Sequence, residues 1–563
     1  MIDLLLLAAL PALTPAQGAA ASSEPHATAA AAEVLAAGGN AVDAAVAAGF
    51  ALAVSYPVAG NLGGGGFLLY RALDGQAAFL DFREVAPAAA TAGMYLGDDG
   101  EPLRQASLRG WRAAGVPGSV AGMAEAHRRW GSRPWASLLA PAIRLAEDGF
   151  PISAGQSESF GLSASTLGLD PLAASRFYRP DGSPLPPGAL LRQPELAATL
   201  RAVAERGDRA LRNGPVVEEL LRASDAAGGI FTAADFAGYQ PVLRPVARIE
   251  WQGRVVLAPT APSSGGLYLA QTLGALERFP LRGWGWDDAR SIQLIGEASA
   301  RAFVDRNRWL GDPAGFDFDV GRLSRPDYLE RRFGGLSPAR WTRPDRLAGA
   351  GRRESEQTTH YSVVDGRGGA CSVTTTLNGA YGAKVMAPGG FLMNNEMDDF
   401  AAAPGRANQF GLVQGAYNAV AAGRRPLSSM CPVIVEQDGE LDAVLGSPGG
   451  PTILSTVLQV LLNRYTFGMP PRRAVAAPRF HRQDRPAQLQ YEPGRLDAAA
   501  RHGLEQVGQP LRLRASIGDV NAVFRRGGRW QAVADPRRGG AAMVVERELA
   551  AEAAGSDPDL DQL

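Results

Sequence analysis

The stretch SEQTTHYSVVDGRGGACSVTTTLN, residues 355–378, carries an unusual concentration of hydroxyl side chains. Two runs rich in threonine, serine and valine flank a turn rich in glycine, which is the pattern of a β-hairpin. Threonine is β-branched and suits strands, so these hydroxyls have a purely structural explanation. The alternative is that one of them is a nucleophile, and the rest of the chain decides between the two.

The loop of this hairpin sets which threonines lie opposite each other. A loop of Gly366, Arg367 and Gly368, with Gly368 in the left-handed conformation that such loops need, places Thr358 opposite Thr376. Side chains directly opposite on one face lie about 5 Å apart, so the two hydroxyls are predicted to interact. A loop longer by one residue would shift the register and place them on opposite faces.

A threonine hydroxyl is a poor nucleophile unless a base takes its proton. The sequence places no histidine or carboxylate reliably beside Thr358. A known solution is that the threonine's own α-amine acts as the base, which requires the residue to be a chain N-terminus. Thr358 meets this condition only if the chain is cut before it. The segment rich in Arg, Gly and Pro at about 310–355 is predicted to be exposed, so a cut could open freely there.

Length and composition indicate a large globular chain. Its 563 residues exceed the roughly 250 to 300 that one hydrophobic core serves, so two large layers or two lobes are expected. The formal net charge of −1 offers no general attraction to nucleic acid, which we exclude as a partner. The histidines lack metal-ligand spacing, and Cys371 and Cys431 are too few for a thiolate site. We therefore predict no metal, no cofactor and two buried free thiols.

The N-terminal run MIDLLLLAALPALTPAQGAA is apolar enough to be the core of a secretion signal. It has an aspartate where a positive region is expected, and it lacks Lys and Arg. We take residues 1–16 as a candidate signal segment, which predicts a periplasmic or secreted protein. No later segment has the roughly 20 uninterrupted apolar residues of a membrane span, so none is predicted.

Local patterns predict several elements near the hairpin. A first helix is expected to end at Gly38–Gly39, and a second to begin after Asn40 and to be buried from Ala41 to Val54. The glycines at 63–66 lack the Gly-Lys-Ser/Thr of a phosphate loop and lead into a strand, so they indicate a turn where backbone approaches a site closely. Another helix is predicted over 451–463.

Ten short motifs follow one another along the chain, over about residues 17–547. They are NAVDAAVA, GNLGGGGF, DFRE, GVPGSVAG, PSSGG, TTHYSVVD, NNEMDDF, RPLSSM, GSPGG and DPR. In order and approximate spacing they resemble the motifs of the γ-glutamyltransferases (γ-glutamyltranspeptidases), which are N-terminal-nucleophile hydrolases. Each motif alone is weak, but ten in order are highly specific.

The resemblance implies an α+β fold in the form of a four-layer αββα sandwich. It also implies a proenzyme that cleaves itself between Gln357 and Thr358 into a large subunit, residues 17–357, and a small catalytic subunit, residues 358–563. The two products stay together as a heterodimer. Thr358 is then both the nucleophile of self-cleavage and the catalytic nucleophile, and Thr376 supports its hydroxyl.

Further roles carry over motif by motif. In the family, residues at three of these positions hold the substrate's α-carboxylate: Arg83, Ser428 and Ser429. Three more hold its α-amino group: Asn378, Glu396 and Asp399. Gly449 and Gly450 match the oxyanion hole. The segment APGRANQFGLVQGAYNAVAAGRR matches a lid, with Phe410 at the position of a lid aromatic that is often tyrosine.

These roles are chemically reasonable, although each residue has a simpler explanation. The planar fork of Arg83 suits a carboxylate, but any single arginine is more often in a structural ion pair. Glu396 and Asp399 could face an ammonium, whereas an acidic run is usually a solvated face. The N–H groups of Gly449 and Gly450 precede the helix predicted from Pro451 and could stabilise an oxyanion, or they could form a tight turn.

The combined expectation is a γ-glutamyl transferase/hydrolase that acts on glutathione or other γ-glutamyl compounds. Thr358 attacks the γ-carbonyl, the amine leaves, and water or an acceptor amine resolves the acyl-enzyme. The closest alternative is a β-lactam-type (glutaryl or cephalosporin) acylase on the same scaffold. A third is an unprocessed, inactive homologue that serves as a binding module, which the presence of both threonines and both glycines argues against.

Overall fold

Two antiparallel sheets form the centre of the fold in the computed structural model, which describes residues 16–103, 105–315, 318–343, 358–401 and 414–547. In spatial order, the first sheet consists of β18 (Ala541–Arg547), β1 (Ala16–Ser22), β9 (Thr358–Val364), β10 (Ala370–Thr376), β2 (Gly65–Arg71), β3 (Ala77–Asp81) and β6 (Val242–Arg244). The second consists of β17 (Arg529–Ala534), β16 (Asn521–Arg526), β12 (Glu440–Gly446), β11 (Val433–Gln437), β8 (Arg254–Pro259) and β7 (Val246–Trp251).

Helices cover the outer face of each sheet. Those packed on the first sheet are α1 (Pro25–Ala36), α2 (Ala41–Ser55), α3 (Ser119–Trp130), α4 (Trp135–Asp148), α5 (Ala154–Leu167), α6 (Pro171–Phe177), α7 (Pro194–Arg206), α8 (Pro215–Ala226) and α9 (Ala233–Gly238). Those on the second are α10 (Gly265–Leu276), α11 (Leu281–Trp284), α12 (Ala289–Trp309), α13 (Pro326–Phe333), α14 (Thr452–Leu461), α15 (Pro471–Ala476) and α16 (Ala498–Gln506). The expected four-layer αββα sandwich is confirmed.

Two apolar cores correspond to these layers. One joins the first sheet to α1–α9, and the other lies between the two sheets and extends under α10–α16. Short strands complete the described fold: β4 (Phe150–Pro151) with β5 (Leu190–Leu191), and β13 (Phe480–His481) with β14 (Leu489–Tyr491) and β15 (Leu511–Leu513). Cys371 and Cys431 are buried free thiols, as predicted.

The hairpin of β9 and β10 lies in the middle of the first sheet. Asp365 N–H donates to the carbonyl of Gly369 across the loop, and Gly368 has φ +96°, which is the left-handed conformation that the sequence predicted. The register runs from Val364 opposite Ala370 to Thr358 opposite Thr376. The predicted pairing of the two threonines is therefore confirmed.

The glycine run bounds the same end of the hairpin. β2 begins within the run, and Gly65 pairs with Thr376. A Cβ atom on Gly64 would lie 2.1 Å from the carbonyl oxygen of Thr376, and one on Gly66 would lie 2.5 Å from that of Thr374. Only glycine permits the backbone to approach the hairpin this closely.

The two predicted N-terminal helices are also present. Asn40 caps α2 and forms a reciprocal capping box with Asp43, and all residues of α2 except Gly49 are buried. The candidate signal segment lies almost entirely outside the described residues, and its predicted end at residue 16 coincides with the first residue of β1. Among the described residues, no helix combines the length and apolar character needed to cross a membrane.

Candidate active site

Thr358 and Thr376 meet at the open end of the hairpin. Thr358 is the first residue of β9 and 5% exposed, and its Oγ1 lies 3.5 Å from the Oγ1 of Thr376. The hydroxyl oxygen of Thr376 also accepts a hydrogen bond of 2.8 Å from the backbone N–H of Asn378. The turn that follows β10 thus fixes the Thr376 side chain, which keeps its hydroxyl group next to the hydroxyl of Thr358.

His360 is the nearest histidine along β9, but its contacts exclude it as the base for Thr358. Its Nδ1 lies 2.9 Å from the hydroxyl of Thr374, and its Nε2 lies 3.0 Å from that of Ser362. Both ring nitrogens are therefore engaged between the sheets. Burial lowers the pKa of His360 to about 3, so the ring is neutral at physiological pH.

An asparagine that the motif analysis did not single out anchors the end of β10. The side-chain amide of Asn61 donates to the carbonyl of Thr376 at 3.0 Å and to the hydroxyl of Thr375 at 3.1 Å. Its carbonyl oxygen accepts from Ser119. Asn61 precedes the glycine run, so the same loop both packs against the hairpin and holds its last residue in place.

Asn378 stands at a sharp turn beside the two threonines. Its φ of +72° is uncommon for a residue other than glycine, and backbone strain of this kind is concentrated at functional sites. Its side-chain N–H donates to the carbonyl of Asn395 at 2.9 Å. Asn395 in turn accepts from the N–H of Gly379 at 2.8 Å, which ties this turn to the segment that carries Glu396.

Gly449 and Gly450 precede α14 with φ values of +133° and +55°, which L side chains rarely adopt. Their carbonyl oxygens accept from the N–H groups of Thr452 and Ile453, whereas their own N–H groups donate to no acceptor within the described parts of the chain. The start of the helix therefore presents free backbone donors next to the threonines. The predicted helix over 451–463 is α14, which gives way to a π-helical turn at Leu462–Thr466.

Arg83 is completely buried and binds two carboxylates of the chain itself. Its Nη1 forms an ion pair with Glu396 Oε1 at 2.6 Å, but the geometry of this contact is not that of a hydrogen bond. Its Nη2 donates a hydrogen bond to Asp399 Oδ2 at 2.5 Å. It also donates to the backbone carbonyls of Pro426 and Leu427. Burial raises the pKa of Glu396, an effect that Arg83 only partly opposes. The groups predicted to bind a carboxylate and an ammonium are therefore paired with each other.

The neighbouring serines belong to a second buried cluster around Arg306, which the sequence analysis missed. Ser428 Oγ accepts from the N–H of Met430 at 3.1 Å, and Ser429 Oγ accepts from Arg306 Nη2 at 3.1 Å. Arg306 is 2% exposed and makes no direct ion pair among the described residues, although Asp399 and Asp484 attract it without contact. Burial lowers its pKa to about 10, so it remains charged near neutral pH.

Glu84 is a further buried carboxyl group beside the site. A Cβ atom on Gly65 would lie 2.6 Å from its Oε2, so Glu84 packs directly against the strand that pairs with Thr376. Neither carboxyl oxygen has a hydrogen-bond partner within the described residues. Burial raises the pKa of Glu84 to about 8, with Arg83 opposing the change.

One small pocket brings these groups together. Its lining contains every predicted site residue except Gly449, together with Arg306 and three apolar residues. The complete lining is Arg83, Arg306, Thr358, Thr376, Asn378, Glu396, Asp399, Ser428, Ser429, Met430, Gly450, Pro451 and Ile453. Its volume of about 20 Å³ holds little more than one water molecule. The predicted positions of Gln357 and Phe410 lie outside the described residues.

Comparison with known proteins identifies the family of this chain. The profile of the γ-glutamyltranspeptidase family matches residues 27–545. The chain belongs to this family. It is 42% identical over 480 residues to the glutathione hydrolase proenzyme of Pseudomonas sp. strain A14, a match that covers 85% of this chain and 83% of that protein.

Other proteins similar to this chain have a different stated activity. The acylase ACY 1 proenzyme of Pseudomonas sp. strain SE83 is 34% identical over 545 residues, which cover 95% of this chain and 94% of that protein. The crystal structure of a cephalosporin acylase from Bacillus halodurans superposes with a TM-score of 0.82 over 96% of this chain and 99% of that one. At 23% identity this similarity shows a shared fold alone.

Proposed function

We propose that this protein is a γ-glutamyl transferase/hydrolase that matures by cutting itself between Gln357 and Thr358. The observation that carries the proposal is the position of Thr358. It begins a central strand, faces the hydroxyl of Thr376 and lines the same pocket as a buried arginine and two acidic residues. A histidine base is excluded because no histidine of the described residues lines this pocket and His360, the nearest along β9, is engaged on both ring nitrogens. A free α-amine at Thr358 would supply the missing base.

The self-cleavage step uses the same hydroxyl as catalysis. Thr358 Oγ1 attacks the carbonyl carbon of residue 357, the peptide C–N bond breaks as the ester forms, and the nitrogen takes a proton to become the new α-amine. Water then hydrolyses the ester. The resulting subunits would stay joined, because β1 from residues before the cut pairs with β9 and β18 from residues after it.

Turnover then follows one acyl-transfer cycle. The α-amine of Thr358 takes the proton of its own hydroxyl, and Oγ1 attacks the γ-carbonyl of the donor. The N–H groups of Gly449 and Gly450 would stabilise the oxyanion, a contribution typically of about 3 kcal/mol for one donor. The C–N bond breaks as the ammonium returns the proton to the departing amine. Water or an acceptor amine releases the γ-glutamyl group by the reverse proton movements.

The pocket suits the zwitterionic end of a γ-glutamyl group. Arg83 with the two serines would hold the α-carboxylate, and Asn378, Glu396 and Asp399 would hold the α-ammonium. In the described structure Arg83 contacts Asp399 and Glu396, so under this proposal the chain's own charges pair with each other until a substrate binds. The substrate carboxylate would take the place of the two acidic side chains at Arg83, and the substrate ammonium would take the place of Arg83 at Glu396 and Asp399. The small pocket volume implies that the two sides separate when the substrate enters.

A pair of chromogenic anilides tests this assignment. γ-Glutamyl-4-nitroanilide should be turned over, whereas glutaryl-4-nitroanilide keeps the γ-acyl chain, lacks the ammonium and should be a poor substrate. The unpaired buried carboxylates would cost about 1 to 3 kcal/mol each, and a site built to bind a polar group rejects analogues that lack it. The Thr358→Ala variant is the control for uncatalysed release. Equal rates on the two anilides would refute the assignment and favour a glutaryl-type acylase.

We also propose that the protein is exported, on the basis of the apolar segment at 1–16. Expression of the full chain in a bacterial host with separate recovery of the periplasmic and cytoplasmic fractions tests this. The mature protein should appear in the periplasmic fraction without residues 1–16. Recovery only in the cytoplasm with the N-terminal segment intact would contradict export.

A further inference from the structure

The neighbours of Ser428 and Ser429 determine that both hydroxyl oxygens act as hydrogen-bond acceptors. Arginine can only donate, so Ser429 Oγ must accept the 3.1 Å hydrogen bond from Arg306. Ser428 Oγ accepts from the backbone N–H of Met430 at 3.1 Å. Neither hydroxyl donates to an acceptor within the described residues. Both O–H groups are therefore available to donate into the pocket that they line.

The two buried arginines of the pocket differ in their charge balance. Arg83 contacts two carboxylates, and its charge is compensated before a substrate arrives. Arg306 instead donates to three neutral groups: Ser264, Asn307 and Ser429. Burying a cation without a carboxylate in direct contact is unfavourable, and an anion that binds next to it would relieve this cost. Asp399 and Asp484 attract Arg306 without forming an ion pair with it, so the less fully compensated positive charge of the pocket lies on the Ser429 side.

We propose that Arg306 is a positioning residue that makes the acyl-donor pocket selective for an α-carboxylate. It holds Ser429 as an acceptor so that the serine O–H donates to the substrate carboxylate, and it adds the positive charge that Arg83 shares with Glu396 and Asp399. The inference rests on the proposed function, since it concerns the same substrate site. Nothing in the short motifs of the sequence points to Arg306, which lies on α12, far from the hairpin in sequence.

The test compares donors with and without the α-carboxylate. γ-Glutamyl-4-nitroanilide has it, and 4-aminobutyryl-4-nitroanilide keeps the amine and the acyl chain but lacks it. The measured quantity is the ratio of kcat/KM for the two donors. Arg306→Met should lower this ratio by roughly 10- to 100-fold, the effect of losing a charge-assisted contact, mainly through KM of the γ-glutamyl donor. Arg306→Lys, which retains the charge, should keep most of the selectivity.

Two further variants separate this role from a structural one. Arg308→Met changes an exposed arginine on the same helix that does not line the pocket, and the ratio should stay at the wild-type value. Ser429→Ala should lower the ratio, and adding Arg306→Met to it should lower it by less than the two separate effects combined, because Arg306 acts through Ser429. An Arg306→Met enzyme in which the ratio of kcat/KM for the two donors is unchanged, including one in which kcat/KM falls equally for both donors, would overturn the proposal.

A binding measurement keeps the result independent of turnover. Calorimetric titration of the wild type and of Arg306→Lys and Arg306→Met with L-glutamate and with 4-aminobutyrate reports the same carboxylate selectivity. The role of Arg306 is supported if the wild type and Arg306→Lys prefer glutamate and Arg306→Met does not. This conclusion would hold even if neither anilide were hydrolysed, whereas that absence of hydrolysis would refute the proposed function alone. Equal preference in all three proteins would overturn the role of Arg306.

Discussion

Replacing Thr376 by valine is the most informative single change at the hairpin, because it removes one hydroxyl and keeps the β-branched shape. The hydroxyl contacts the nucleophile at 3.5 Å and accepts from Asn378 N–H at 2.8 Å. A hydrogen bond to a group that gains charge contributes about 1.5 to 3 kcal/mol, which corresponds to a roughly 10- to 100-fold lower kcat. Self-cleavage should slow at the same bond. The buried N–H of Asn378 loses its acceptor, which should lower the free energy of unfolding by about 1 to 3 kcal/mol.

A matched control lies one residue from the nucleophile. Thr359 is completely buried, and its hydroxyl has no hydrogen-bond partner within the described residues. Thr359→Val should therefore preserve kcat and should not lower the melting temperature, since it replaces an unsatisfied polar group by an apolar one. The assays are kcat on γ-glutamyl-4-nitroanilide, the fraction of cut chain over time and thermal unfolding. A Thr376→Val enzyme within twofold of the wild-type kcat, or an equal loss of kcat in Thr359→Val, would show that the Thr376 hydroxyl does not support the nucleophile.

Two further predictions concern the backbone donors and the buried carboxyl group. Gly449→Ala should lower kcat of the cut, two-subunit enzyme by roughly 100-fold or more. Its φ of +133° disfavours a side chain, and the added Cβ would lie only 2.4 Å from Thr452 Oγ1, so the oxyanion donors are forced to move. An unchanged kcat for the cut enzyme would contradict this prediction. Burial in the folded protein raises the pKa of Glu84 from its ordinary 4.5 to about 8. The folded state therefore holds the proton more tightly than the unfolded state, so Glu84 contributes to stability at low pH and this contribution is lost as pH rises from 4.5 through 8. The melting temperature of the wild type should therefore fall more steeply between pH 5 and 8 than that of Glu84→Gln, and parallel curves would refute this role.

The hairpin was predictable because its register depends on a short local loop. Gly368 fixes the turn, and each strand residue is then placed by counting along the two strands. The capping of α2 by Asn40 was predictable for the same reason, since the cap and its partner lie three residues apart. The close approach of the glycine run could be inferred from composition alone, because no other residue permits it.

The contacts of the pocket were less predictable because they join residues that are far apart in sequence. The DFRE motif identified Arg83, but its pairing with Glu396 and Asp399 depends on how the layers pack. Arg306 is one of many arginines in the chain and carries no local signal of burial. The end of α14 was misplaced by two residues because Phe467 N–H bonds Leu462 O and forms a π-helical turn, which hydrophobic periodicity does not reveal.

The mass and the N-terminal sequence of each chain in the purified protein test the role of Thr358 most directly. We expect two polypeptides that remain associated, with the smaller one comprising residues 358–563 and beginning Thr-Thr-His-Tyr. Thr358→Ala should remain a single chain under the same conditions. An intact wild-type chain, or a cut at any other bond, would contradict the central claim that the hydroxyl and α-amine of Thr358 together form the catalytic unit.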